Sequence, residues 1–401
     1  MRGQCVAILR RLAAAVALSA LFSVAAAQAA EVATPSATRA DEDPLREILD
    51  ATHRDGLDGI LKRRILRVLV VPSRTDYFTD RGKQYGIAYE SALEFERYLN
   101  RRYGKRLRPI NVVIVPVTRD RLIPLLEEGK AELAIAGITV TPEREARIDF
   151  SATVHEPVGE VVVSRKGLPP LNVLGDIAGR RFFVRQSSSY WDSLLTVNGH
   201  LATTGLKPIK LIKAEEYLED EDILEMVNAG LVDNTVVDDY KALLWGEILP
   251  DINVQHAIRV RSGGRIAWGI RKDMPKFKAA VDSFVRAHRV GTLFGNVLAD
   301  RYYNDNRWAR RATGADELAR FHAVEDIFRK YGAQYSFDPL LLTAQGFQES
   351  GLDQRARSHR GAVGVMQVLP STGRAMKVGD IRQLEPNIHA GVKYLAQLRD
   401  N

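Results

Sequence analysis

Cysteine is all but missing from this chain of 401 residues: Cys5 is the one example. An oxidising compartment would find no pair of thiols to join. Charge of one sign is also lacking, since 57 Lys and Arg face 50 Asp and Glu. Without Arg2, Arg10 and Arg11 the net charge of +7 falls to about +4, too mild for a nucleic-acid partner, though it suits loose attraction to an anionic envelope polymer. Tandem repeats and low-complexity tracts are absent beyond the first thirty residues. The longest apolar run there, AAAVALSALFSVAAA at 13–27, is too short for a membrane span.

That run follows Arg2, Arg10 and Arg11 and precedes Ala27-Gln28-Ala29, an A-x-A cleavage site. The combination is that of a secretory signal peptide over 1–30. Cys5 leaves with it, and no cysteine follows the site to carry a lipid. The expected residence is the periplasm, with peripheral association to the outer membrane.

Residues 31–64 read as a lead-in, with helical periodicity from Leu45 to Arg64. Strands then alternate with helices: ILRVLVVP, INVVIVPV and AELAIAGI up to 138, and RRFFVRQ, PIKLIKA, NTVVDD and IAWGIRKD after KGLPP. This pattern predicts two α/β units over 65–300 with a cleft between them. Residues 301–320 are charged and read as a linker. From 321 to 401 the character turns helical.

GITVTPEREARIDFSATV (137–154) and NTVVDDYKAL (234–243) resemble the periplasmic solute-binding proteins of the amino-acid-binding family. An arginine just after a buried strand can grip a carboxylate in two-pronged fashion. The resemblance implies that Arg144, beside Thr141, holds a ligand carboxylate, and that Asp239 holds its amino group. Ser187 to Ser189, Ser188 among them, precede a helix start that suits an anion. The expected ligand is a small amino acid or a muropeptide. Arg144 paired with Glu143 or Asp149, and Asp239 as a solvated strand end, are the plain structural readings.

In the helical part, Asp338-Pro339 reads as an N-cap with proline in the first turn, and Gly351 as the stop. Glu349 then falls in the last turn, where burial and the helix dipole both raise a carboxyl pKa, from about 4.3 towards about 6. Such a group can serve as a general acid. Glycosidases ordinarily use two carboxylates, and Asp353 is the only other acid before Asp380. One protein carboxylate suits a substrate that supplies its own nucleophile. His359 and His389 lack a metal-like cluster, so no metal or cofactor is expected.

ES at 349–350, SHRGAVGVMQVLPST at 358–372 and EPNIHAGVKYL at 385–395 resemble the lytic transglycosylases with a soluble-lytic-transglycosylase domain, related to goose-type lysozyme. The resemblance implies a mainly α, lysozyme-like domain acting on peptidoglycan glycan strands. It implies cleavage of the β-1,4 bond between N-acetylmuramic acid and N-acetylglucosamine without water, leaving 1,6-anhydromuramyl ends. Glu349 matches the acid/base, with Ser358, Gly361, Gly364, Met366 and Gln367 at the sugar groove. That family's domain continues past the NI-x-x-G-x-x-YL helix, so the domain at 321–401 is expected to be C-terminally truncated. The alternative is a periplasmic binding module carrying an inactive remnant of the enzyme.

Overall fold

The computed structural model describes residues 48, 51–80, 83–104, 108–304 and 315–400. The expected signal peptide, most of the lead-in and the middle of the expected linker lie outside them. The chain divides into two compact units. Of the described residues, one holds those within Thr34–Tyr77 and Gly86–Asn306; the other holds those within Phe78–Tyr85 and Arg307–Asn401. No described helix is long and apolar enough to cross a membrane.

The first unit is built on one sheet of order β10 (Asn234–Asp238), β7 (His155–Arg165), β11 (Ile252–Ile270), β5 (Leu133–Thr139), β1 (Ile65–Val70), β4 (Asn111–Pro116), with β6 (Asp149–Phe150) paired to β11. β1 (Ile65–Val70) runs parallel to β4 (Asn111–Pro116) and β5 (Leu133–Thr139). Its residues after Ile65 are buried, as a strand covered on both faces requires. α2 (Ile87–Tyr103) lays Ala88, Ala92, Phe95 and Leu99 on this sheet at helical spacing. Trp268, Phe277 and Phe284 complete that core around Phe95.

The expected helix from Leu45 to Arg64 is interrupted in the structure. α1 spans Gly56–Arg63, and residues 51–55 are not helical. Buried Arg67 explains the break. Its guanidinium pairs with Glu132 at 2.7 Å and draws in the carbonyls of Ala51 and Gly129, which a continuous helix would not offer. Gly56 follows with φ +60°, a left-handed value that favours glycine.

Two long strands carry the chain between lobes. β7 (His155–Arg165) pairs antiparallel with β11 (Ile252–Ile270), from Ile252 opposite Arg165 to Ile266 opposite His155. β10 (Asn234–Asp238) adds to β7. The second lobe also holds the parallel pair β8 (Arg181–Arg185) and β9 (Lys210–Ala214). Its helices are α5 (Ser189–Thr203), α6 (Asp220–Asn228) and α7 (Asp239–Ile248). α3 (Leu122–Glu127), α4 (Pro142–Arg147) and α8 (Pro275–His288) belong to the first lobe, and α9 (Leu293–Ala299) follows α8.

The second unit contains α10 (Ala315–Tyr335), α11 (Pro339–Ser350), α12 (Pro370–Met376) and α13 (Leu384–Asp400). Phe328, Val365, Ile388 and Val392 are fully buried at its centre. The hairpin of β2 (Phe78–Asp80) and β3 (Lys83–Tyr85) clusters with it.

Candidate active site and ligand cleft

α11 is set by local chemistry. Asp338 caps it, its carboxylate accepting from the Leu340 N–H at 2.7 Å, and Pro339 occupies the first turn. Gly351 stops it in the left-handed conformation, φ 63°. Glu349 therefore lies in the last turn, half-buried. Burial pushes its carboxyl up, and the one opposing influence is Gln345, whose Nε2 donates to Oε1 at 2.9 Å. No charged group contributes. Burial also raises Asp353, but the Arg355 backbone N–H and side chain outweigh it and hold that carboxyl low. Two acids four residues apart are thus pushed in opposite directions, the pattern that separates a proton donor from a spectator.

Gln345 and Glu349 are one turn apart on the same helical face. The donated hydrogen bond favours the carboxylate, so its removal raises the pKa further. In Gln345→Leu, the protonated acid persists to higher pH. The alkaline limb of the pH–rate profile is expected to move up by about one unit, from the worth of a hydrogen bond to a charged group. An unmoved limb would show that Gln345 does not act on Glu349.

The loop after α11 folds on its own polar contacts. Ser350 is fully buried and its Oγ donates to the carbonyls of Gly346 and Val365, tying the helix end to the loop. Ser358, half-buried, accepts the Ala362 N–H on Oγ at 3.0 Å and closes a turn with Gly361. Gly361 is exposed with φ 83° and open space beside its Cα. Gly364 is buried, and a Cβ there would lie 2.4 Å from Asn387 Nδ2, so its bareness admits that side chain. Met366 is 8% exposed and packs in the core against Gly391. Gln367 is half-buried and donates to the Gly364 carbonyl at 2.8 Å. Gln348, beside Glu349, donates to Thr79 of the β2–β3 hairpin at 2.6 Å.

Gln345, Gln354 and Asn387 were not singled out from the sequence. Asn387 is fully buried; its Oδ1 accepts from Met366 N–H at 2.9 Å and its Nδ2 donates to the carbonyls of Val363 and Ile381. Gln354 accepts from Val365 N–H and donates to the carbonyls of Ile381 and Arg382. The signal for Asn387 was a polar residue on the same helical stripe as Gly391.

In the first unit, Thr141 caps α4 and accepts the Arg144 N–H. The Arg144 guanidinium donates to the carbonyls of Thr139 and Ser187, both at 2.8 Å, so it spans the two lobes. Among the described residues it enters no ion pair. Burial, then neighbouring Arg119, weaken its hold on the proton. Ser188 caps α5 and Ser189 donates to Thr139 Oγ1 at 3.1 Å. Asp239 is not a free strand end: it opens α7, accepts from Gly159 N–H and pairs with Arg259 at 2.8 Å.

The cleft is further bridged by the chain's own charges. From the first lobe, Arg119 pairs with Glu219 at 2.7 Å and Arg74 with Glu225 at 2.5 Å. Behind them, Arg185 and Lys241 share Asp220, at 2.6 and 2.7 Å. All these groups but Arg74 and Glu225 are almost fully buried.

Residues 66–293 match the model for bacterial extracellular solute-binding proteins, family 3. The chain belongs to that family. A solved structure described as Tv2483 bound to L-arginine matches family 3's fold in this chain with TM-score 0.50 and 17% identity, over 62% of this chain and 94% of that one. Beyond the family 3 region, residues 326–401 match the transglycosylase SLT domain. Two curated relatives join both parts. A membrane-bound lytic murein transglycosylase F of Aeromonas salmonicida (strain A449) is 28% identical over 86% of this chain and 66% of its own length. One of Desulfosudis oleivorans (strain DSM 6200 / JCM 39069 / Hxd3) is 27% identical over 79% of this chain and 68% of its own. The chain thus spans about two thirds of the length of these relatives.

Proposed function

We propose that this chain is a peptidoglycan lytic transglycosylase governed by a ligand-sensing domain. The observation that carries the reading is Glu349: a carboxyl raised by burial, touched by one neutral amide and influenced by no charged group. The match of residues 326–401 and the names of both relatives support the same chemistry. Protonated Glu349 gives its proton to the glycosidic oxygen, and the bond from that oxygen to muramic C1 breaks. The muramic acid's own N-acetyl group stabilises C1, its C6 hydroxyl then attacks, and the hydroxyl proton returns to Glu349. The product is a 1,6-anhydro ring, and water is not consumed. Ser358, Gly361, Gly364, Met366 and Gln367 form the segment that shapes the groove.

The test is digestion of purified sacculi by the full chain with mass spectrometry of the fragments. Fragments lighter by one water than lysozyme products are expected. Fragments of full lysozyme mass would replace this reading with hydrolysis.

The sensing cleft takes a small amino acid or a muropeptide. Arg144 supports this, as a cation without a carboxylate partner beside the Ser187 to Ser189 turn. Arg144→Ala is expected to weaken binding of a carboxylate ligand by about a hundredfold, from the loss of a two-pronged charged hydrogen bond. Calorimetric titration with amino acids and muropeptides would read it, and unchanged affinity would move the ligand elsewhere. Residence in the periplasm, peripheral to the outer membrane, fits a substrate that lies there.

A further inference from the structure

A separate cavity opens inside the family 3 unit, with a volume of about 80 Å³. None of Thr141, Arg144, Ser188 or Asp239 lines it. Its walls are apolar, from Ile87 on α2, Trp268 on β11, Phe284 on α8 and Leu298 on α9. At one end stand Asp76, Tyr240 and Tyr303. The rings of Tyr240 and Tyr303 meet edge-on with centroids 4.8 Å apart. Gly137 leaves this end open: a Cβ there would lie 3.9 Å from the Tyr240 hydroxyl and 4.0 Å from Asp76 Oδ2.

Asp76 is 3% exposed, and its Oδ2 has no hydrogen-bond partner. Arg119, 3.6 Å away, is already committed to Glu219 at 2.7 Å, and Lys241, which also acts on this carboxyl, is committed to Asp220 at 2.7 Å. A buried carboxylate oxygen without a donor is costly, and burial raises its pKa accordingly. A ligand that brought an ammonium donor would satisfy Asp76 Oδ2. The tyrosine faces favour the same charge.

We propose that this cavity is a second ligand site of the sensing domain, taking a short aliphatic primary ammonium ion. The ammonium donates to Asp76 Oδ2, and the hydrocarbon lies against Ile87, Trp268 and Phe284. The volume admits a small molecule of this kind and no glycan.

Isothermal titration of the full chain with isobutylammonium, isobutanol and isobutyrate tests it. The ammonium is expected to bind at least about tenfold more tightly than the alcohol, from one charge-assisted hydrogen bond, with the carboxylate weakest. Asp76→Asn should remove the preference. Ala299→Leu narrows the cavity without touching the carboxylate and should weaken ammonium binding by a comparable factor. The wild-type ranking holds as a test even if Asp76→Asn fails to fold. Equal affinity for ammonium and alcohol would overturn the proposal, as would no binding by either. Binding untouched by Ala299→Leu would place the amine elsewhere and overturn it too.

Discussion

Glu349→Gln is expected to cut the release of anhydromuropeptides from sacculi by about a hundred- to ten-thousand-fold, the usual worth of a positioned general acid. The substitution is nearly isosteric and keeps an amide able to meet Gln345. What it removes is the proton. Burial raises the Glu349 pKa, which favours the proton-bearing form. Glutamine cannot supply it to a leaving oxygen. Because the carboxyl is buried without a cation, its loss should not destabilise the unit, and melting should stay within about 1 kcal/mol of wild type. Retained binding to sacculi together with lost turnover would separate chemistry from recognition. Turnover within about tenfold of wild type would mean that another group protonates the glycosidic oxygen.

α11 was legible in the sequence because its determinants are local. Asp338, Pro339 and Gly351 act within a turn of their own positions, and all three do what their residue types suggest. The parallel strands β1, β4 and β5 were legible as apolar runs. β11 was not, apart from its last residues. Ser262-Gly263-Gly264 reads as a turn, yet the strand passes through it with shifts of register against β7. β7 hid in the same way, since Pro157 and Gly159 punctuate a strand whose partners lie about a hundred residues on.

The candidate sites divide along the same line. Arg144 could be placed from its motif, as the residue that follows a buried strand and a capping threonine. Its actual partners, carbonyls at Thr139 and Ser187, depend on how the lobes meet. The pairing of Asp239 with Arg259 joins α7 to β11 and has no local signature. Gln345 was available from spacing alone, one turn before Glu349. The bridging of the cleft by Arg119 and Glu219 joins residues a hundred positions apart, and nothing in either neighbourhood announces it.

Asn387→Ala is expected to destabilise the second unit by about 2 kcal/mol, because it strands the buried Met366 N–H and takes a donor from two buried carbonyls. Oδ1 satisfies the Met366 N–H, and Nδ2 donates to the carbonyls of Val363 and Ile381, which also accept from Val368 N–H and Gln354 Nε2. Alanine reaches none of them, and the site is closed to replacement water by the packing of Gly364 against the amide. Calorimetry of the full chain should show the transition of this unit falling while that of the family 3 unit stays in place. Asn387→Asp separates hydrogen bonding from volume. It keeps the acceptor and the size, loses both donors, and faces a carboxylate with two carbonyl oxygens. The aspartate is expected to cost at least as much as the alanine. If it proved nearly neutral, or if the alanine cost under about 1 kcal/mol, the side chain would be filling space rather than holding the loop. The loop so held carries Met366 and Gln367, two and three residues after Gly364. Its loss should therefore lower turnover in step with stability, with the pH profile set by Glu349 unchanged.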